Sequence, residues 1–149
     1  MKEIIKIVGN FEMKVFQNIN NKLKLIEHYK DFNLVVNVGK EKICRLLVND
    51  NGSNWINKIG FGTSDSAVNI SDTSLTDGYI KNVNSYSYED DNTSIKFNWD
   101  LGLTENNGVT IKEYGLICED FTLFSRKIRT GINKESNISF DGTWSIKFI

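Results

Sequence analysis

The sequence predicts a mainly β fold, an antiparallel β-sandwich of hairpins with one packed α-helix at about residues 38–48, on three observations. After Trp55, apolar residues recur at every second position, the period of a strand buried on one face. Turn residues (Asn, Asp, Gly) separate these runs at hairpin spacing. One segment alone carries apolar residues at three- and four-residue spacing, the period of a helix.

Taken in order, Ile4, Ile5, Ile7 and Val8 form a short apolar run, and Phe11, Met13 and Val15 then alternate with Glu12 and Lys14 as in a half-buried strand. "NKLKLIEHYKDF" fits both periods, with strand preferred. In "NVGKEKICRLLVND", Asn37 is placed to cap a helix whose Val38, Ile43, Leu46 and Leu47 share an apolar face, and Asn49 to Gly52 stop it. A strand from Trp55 to Phe61 is expected to end in a sharp turn at the glycines Gly60 and Gly62. Ile80 to Tyr88 and Thr93 to Leu101 form a hairpin about Glu89, Asp90, Asp91 and Asn92. Ile111 to Cys118 and Phe121 to Ile128 form a second about Glu119 and Asp120. A third is expected to turn at Asp141-Gly142 and to align Trp144, Ile146 and Phe148. Three hairpins need a second apolar layer, and a second sheet supplies it at least cost.

The 149 residues fit a single domain, 1–149, within which residues 1–31 read as an amino-terminal arm or edge-strand segment able to reach a neighbouring chain. Eighteen basic and 19 acidic side chains, spread along the chain, leave a net charge of -1 and no cationic footprint for a nucleic acid backbone. Cys44 and Cys118 lie in apolar segments without metal-ligand spacing, so both are expected as buried thiols. The charged amino terminus is unlike a secretion signal, and no apolar run has the length of a membrane span, which predicts synthesis in the cytosol without membrane insertion.

The chemical motifs are sparse. Gly60-Phe61-Gly62 lacks both the third glycine of a dinucleotide fingerprint and the Gly-Lys-Ser/Thr ending of a phosphate loop. His28 is the sole imidazole, beside Glu27 and Tyr29, and suits a surface position better than a catalytic base. Glu89, Asp90 and Asp91, like Glu119 and Asp120, fall at hairpin tips where water keeps carboxylates ordinary. Asp65, Asp72 and Asp77 are the only carboxylates grouped as a hard cation would want, without the spacing of a calcium loop. No catalytic, cofactor-binding or metal-binding residue is therefore assigned, and no cofactor is expected. Trp55, Trp99 and Trp144 with Tyr79, Tyr86 and Tyr88 have two readings, core residues or a stacking platform for sugar rings.

From Trp55 to Ile149 the order of pieces is distinctive: "IGFGTSDSAVNISDTSLTDG" containing Asp72-Thr73-Ser74-Leu75, then "IKFNWDL", then "NNGVTIKEYGLIC" with Ile111 to Leu116, "TLFSRKI" with Leu123 to Arg126, and "ISFDGTWSIKFI". This layout resembles that of structural proteins of tailed bacteriophages, tail-fibre-like and particle-decorating subunits. The resemblance implies a non-enzymatic virion subunit, a homo-oligomer that decorates or connects head or tail through contacts with other virion proteins and copies of itself. The alternative is a host-surface or carbohydrate-binding module. Physically, Asp72 and Thr73 are suited to cap a turn, Leu75 to anchor a loop, Gly115 to allow close approach, and Glu113 to pair with Arg126 across neighbouring strands.

Overall fold

A computed structural model describes residues 1–50 and 52–149. In chain order the elements are β1 (Ile7–Ile19), β2 (Lys22–Val35), α1 (Asn37–Leu47), β3 (Ile56–Gly62), β4 (Tyr79–Asn82), β5 (Ser85–Glu89), β6 (Ser94–Leu101), β7 (Val109–Cys118), β8 (Leu123–Lys134) and β9 (Ile138–Phe148). The strands form one antiparallel sheet in the order β4-β3-β7-β8-β2-β1-β9-β6-β5. The sheet curls until its halves face one another: Phe61 on β3 meets Trp99 on β6 with ring centroids 5.6 Å apart, although five strands separate them in the order. Phe11 on β1 meets Tyr114 on β7 at 5.0 Å. The predicted sandwich is thus built from one curled sheet, with β2 at the corner. Residues 22–33 of β2 pair along β1, and only Leu34 and Val35 pair with β8.

The alternating pattern explains the core. Phe11, Met13 and Val15 of β1, Trp99 and Leu101 of β6, and Trp144 of β9 point between the halves and are buried, while Glu12 and Lys14 point outward. β1 therefore lies inside the sheet between β2 and β9, and the expected arm or edge strand is an interior one. Just before it, Lys6 pairs with Ile149 through both backbone groups.

Several local expectations are revised by packing. The run from Ile80 to Tyr88 divides at Val83-Asn84, because β4 joins β3 while β5 joins β6 on the other half of the sheet. The turn between β5 and β6 is as expected, with Asp90, Asp91 and Asn92 all at positive φ (51, 55 and 68°), which Asp and Asn tolerate better than most residues. Asp141-Gly142 is no turn. β9 runs straight through it, paired to β1 on one side and β6 on the other, and a Cβ on Gly142 would overlap the Trp99 indole. The glycine makes room for a ring and gives no bend.

The helix starts one residue earlier than expected, with Val36 at the cap position and no side-chain cap, while the Asn37 amide donates to the Ile70 carbonyl (2.8 Å). It packs on β8 through its first turns, so Gly39 and Lys42 are buried whereas Leu46, Leu47 and Cys44, all expected inside, are exposed. The stop is seen at Asn49, whose φ is 51°; Asn51 lies outside the described residues. Among the described residues no helix is long and apolar enough to cross a membrane.

Residues 63–78 fold back over β3 and β7. Gly60 and Gly115 are cross-strand neighbours, and Leu75 packs over both: a Cβ on Gly60 would come within 2.6 Å of it. The strand continues through Gly62, whose missing side chain leaves space for the Glu113 carboxylate. The strand thus ends at a glycine, as expected, and the glycines also admit two side chains that hold the loop. Glu113 lies diagonally from Arg126 on β8 and accepts its Nε proton (2.8 Å), as the sequence suggested. The other Glu113 oxygen accepts the Thr76 (2.6 Å) and Ser64 (3.3 Å) amides. Arg126 Nη1 donates to Asp72 (2.9 Å), which also caps the turn at Asn69 (2.9 Å). Both Glu113 and Arg126 are buried, so this ion pair is tied down at both ends by hydrogen bonds, the condition under which a buried pair is tolerated.

Candidate functional site

An apolar groove of about 410 Å³ opens between the end of α1, the start of β3 and the strand β5 at the edge of the sheet. Leu46 of α1, Trp55, Tyr86 and Tyr88 of β5, Phe97 of β6 and Phe148 of β9 line it. Each is placed by a simple local rule. Tyr86 and Tyr88 alternate with serines on β5 and pair with Phe97 and Ile95, so they occupy the inward face. At this outermost strand the opposite half of the sheet no longer covers that face, and the tyrosines stay 63% and 60% exposed. Their rings meet edge to face at 6.1 Å. Trp55 is 51% exposed across the groove, its carbonyl held by the Glu119 amide (2.9 Å). Among the described residues no lining side chain is charged.

The groove divides the six aromatics singled out in the sequence. Trp55, Tyr86 and Tyr88 come together in it, whereas Trp99 and Trp144 are core residues, 2% and 0% exposed. Tyr79 is half-buried elsewhere, its hydroxyl donating to Glu105 (3.1 Å). Leu46 and Phe148 carried no separate signal: Leu46 lies beyond the buried first turns of α1, and Phe148 continues the buried face of Trp144 and Ile146 past the point where the facing layer ends.

The ionisable candidates do not converge. Asp65 faces Lys112 (3.5 Å), Asp72 faces Arg126, and Asp77 faces the Thr63 hydroxyl (3.5 Å), so the three carboxylates diverge. Among the described residues no group of three His, Cys, Asp or Glu is placed to hold a metal. His28 meets Glu12 (2.9 Å) on the outer face, and this hydrogen bond, chiefly, holds the Glu12 carboxyl below its ordinary range. Glu89 pairs with Lys96 (2.7 Å) and Asp90 with Lys147 (3.0 Å). Glu119 is kept low by hydrogen bonds from Lys58 and Asn57. For Asp120 burial alone would raise the carboxyl, but the bonds from Lys42 and Thr122 outweigh it and hold it low. Cys118 is buried, which pushes its thiol up to about 12 and leaves it unionised at neutral pH.

The groove can exclude water from an apolar or aromatic group laid along it, and among the described residues no strand pairs with the outer edge of β5 beside it. Comparison with protein-family models, curated proteins and solved structures gave no match.

Proposed function

We propose that the protein is a non-enzymatic structural subunit of a tailed-bacteriophage particle, decorating or connecting its head or tail, with the aromatic groove as its contact surface. The observation that supports this reading is the groove itself, an uncharged apolar surface with exposed Trp and Tyr side chains. These residue types are enriched where proteins meet, and charged residues are depleted there. A net charge of -1 allows many copies to lie close together without strong repulsion. The test is immunolabelling of purified particles made with the wild-type chain and with Tyr88→Asp. The reading expects regular labelling that Tyr88→Asp abolishes while the purified variant keeps its β-sheet circular dichroism; particles without label in either case refute it.

A carbohydrate-binding module is the second reading, favoured by the convergence of Trp55, Tyr86 and Tyr88. Sugar sites combine a stacking face with several convergent hydrogen-bonding side chains. Here the Asn54 carboxamide is already engaged by Lys42 (3.2 Å) and the Asp50 carbonyl (3.2 Å). Saturable quenching of tryptophan emission on glycan titration would move the assignment to this reading.

A further inference from the structure

Resting on the contact-subunit reading, we propose that the groove is one half of a twofold interface, in which β5 of one copy pairs antiparallel with β5 of a second copy. β5 is the last strand of the sheet, so among the described residues no strand faces its outer backbone groups. Sheet edges exposed in this way are commonly blunted by Lys, Pro or a bulge. β5, Ser85-Tyr86-Ser87-Tyr88-Glu89, has none of these and pairs with β6 in unbroken register. The opposite edge, β4, is a residue shorter and carries Lys81, bound to Asp100 and Glu105 (both 2.8 Å).

The sequence of β5 suits pairing with itself. Antiparallel alignment centred on Ser87 sets Tyr86 opposite Tyr88 and Ser85 opposite Glu89, so no like charges face each other. Glu89 is already neutralised by Lys96. A twofold contact brings each patch against its own copy, which an uncharged groove permits without repulsion. The neighbouring β5 would extend the sheet over the open side of the groove and lay its two tyrosines toward Trp55 and Leu46. Area agrees with this arrangement. At 51%, 63%, 60%, 38% and 53% exposure, Trp55, Tyr86, Tyr88, Phe148 and Leu46 offer a large apolar surface. That surface is on the order of 500 Å², the greater part of the ~800 Å² per partner found in stable interfaces.

The test combines sedimentation equilibrium of the full chain with cross-linking of Ser87→Cys in a Cys44→Ser background by a short bismaleimide. A dimer at micromolar concentration is expected, with Ser87→Cys cross-linking to its copy and Ser85→Cys failing to do so. Tyr88→Asp should raise the dimer Kd at least ~30-fold. A monomer throughout the range, or a dimer that survives Tyr88→Asp and does not cross-link through Ser87→Cys, overturns the proposal. A monomeric chain that still needs Tyr88 to enter particles overturns the self-pairing alone and leaves the contact reading standing.

Discussion

Arg126 shows how one side chain organises the loop of residues 63–78. Its guanidinium binds Glu113 and Asp72 and also reaches the Ser66 carbonyl (3.2 Å), while Glu113 takes two loop amides. Removing one member of such a buried pair strands the other in a poorly hydrated place, which costs about 3–5 kcal/mol. Arg126→Met is therefore expected to lower the urea midpoint by that equivalent, whereas Arg126→Met with Glu113→Gln should recover part of the loss, because the second change removes the stranded charge. Equal or additive losses in this cycle would mean that the two residues act independently. The pair was legible from the sequence, since two adjacent strands of known direction bring opposite charges close. Its link to Asp72 was not, because the path of a loop across a sheet has no period to read.

At the scale of elements, the alternation of apolar residues located the strands after Trp55 but missed the break inside Ile80 to Tyr88, the continuation of β8 from Ile128 to Lys134 and the continuity of β9. The β9 error has a physical cause. Asp-Gly between apolar runs is a strong hairpin signal when only neighbours in sequence are considered. In the folded chain β9 is flanked on both sides and Gly142 is needed for the Trp99 ring, a contact between residues far apart in sequence. Gly142→Ala should thus destabilise the protein by about 1–3 kcal/mol through overpacking, although alanine is compatible with a strand. Thermal unfolding checks this, and an unchanged melting temperature would contradict the close approach of the Trp99 ring to Gly142. The groove was half legible. Sequence pattern marked its aromatics, but only the end of the facing layer decides which of them emerge.

Across the whole molecule, stability is expected to depend on pH through carboxylates held low in the folded state. Burial alone would raise Glu105, but bonds from Lys81, the Gly102 amide and Tyr79 outweigh it and hold the carboxyl below its ordinary range. Asp31 is held low chiefly by the hydrogen bond from Lys127, and Glu12 by that from His28. A folded-state value below the unfolded one contributes stability that is complete above the ordinary carboxylate range and is lost as pH falls through the folded values. The melting temperature should accordingly fall as pH drops from about 6 to about 3, the span in which carboxylates titrate. Glu105→Gln should lower it near neutrality and reduce the acid sensitivity. A melting temperature that rises on acidification would show these contacts to be unimportant.

The two ends of this architecture differ in character. One holds the Lys81, Asp100 and Glu105 network, and the other holds an uncharged aromatic groove beside an unprotected strand. That the groove is covered by protein when the molecule works is the central claim, and the chain contains its own reporter. Trp99 and Trp144 are shielded in the core, so Trp55 dominates the fraction of emission that acrylamide can quench. The decisive measurement is acrylamide quenching of the free protein against the assembled particle or dimer, with Trp55→Phe identifying the accessible component. A blue shift with loss of that component on assembly is the predicted result; an accessible component that persists unchanged after assembly would contradict the account.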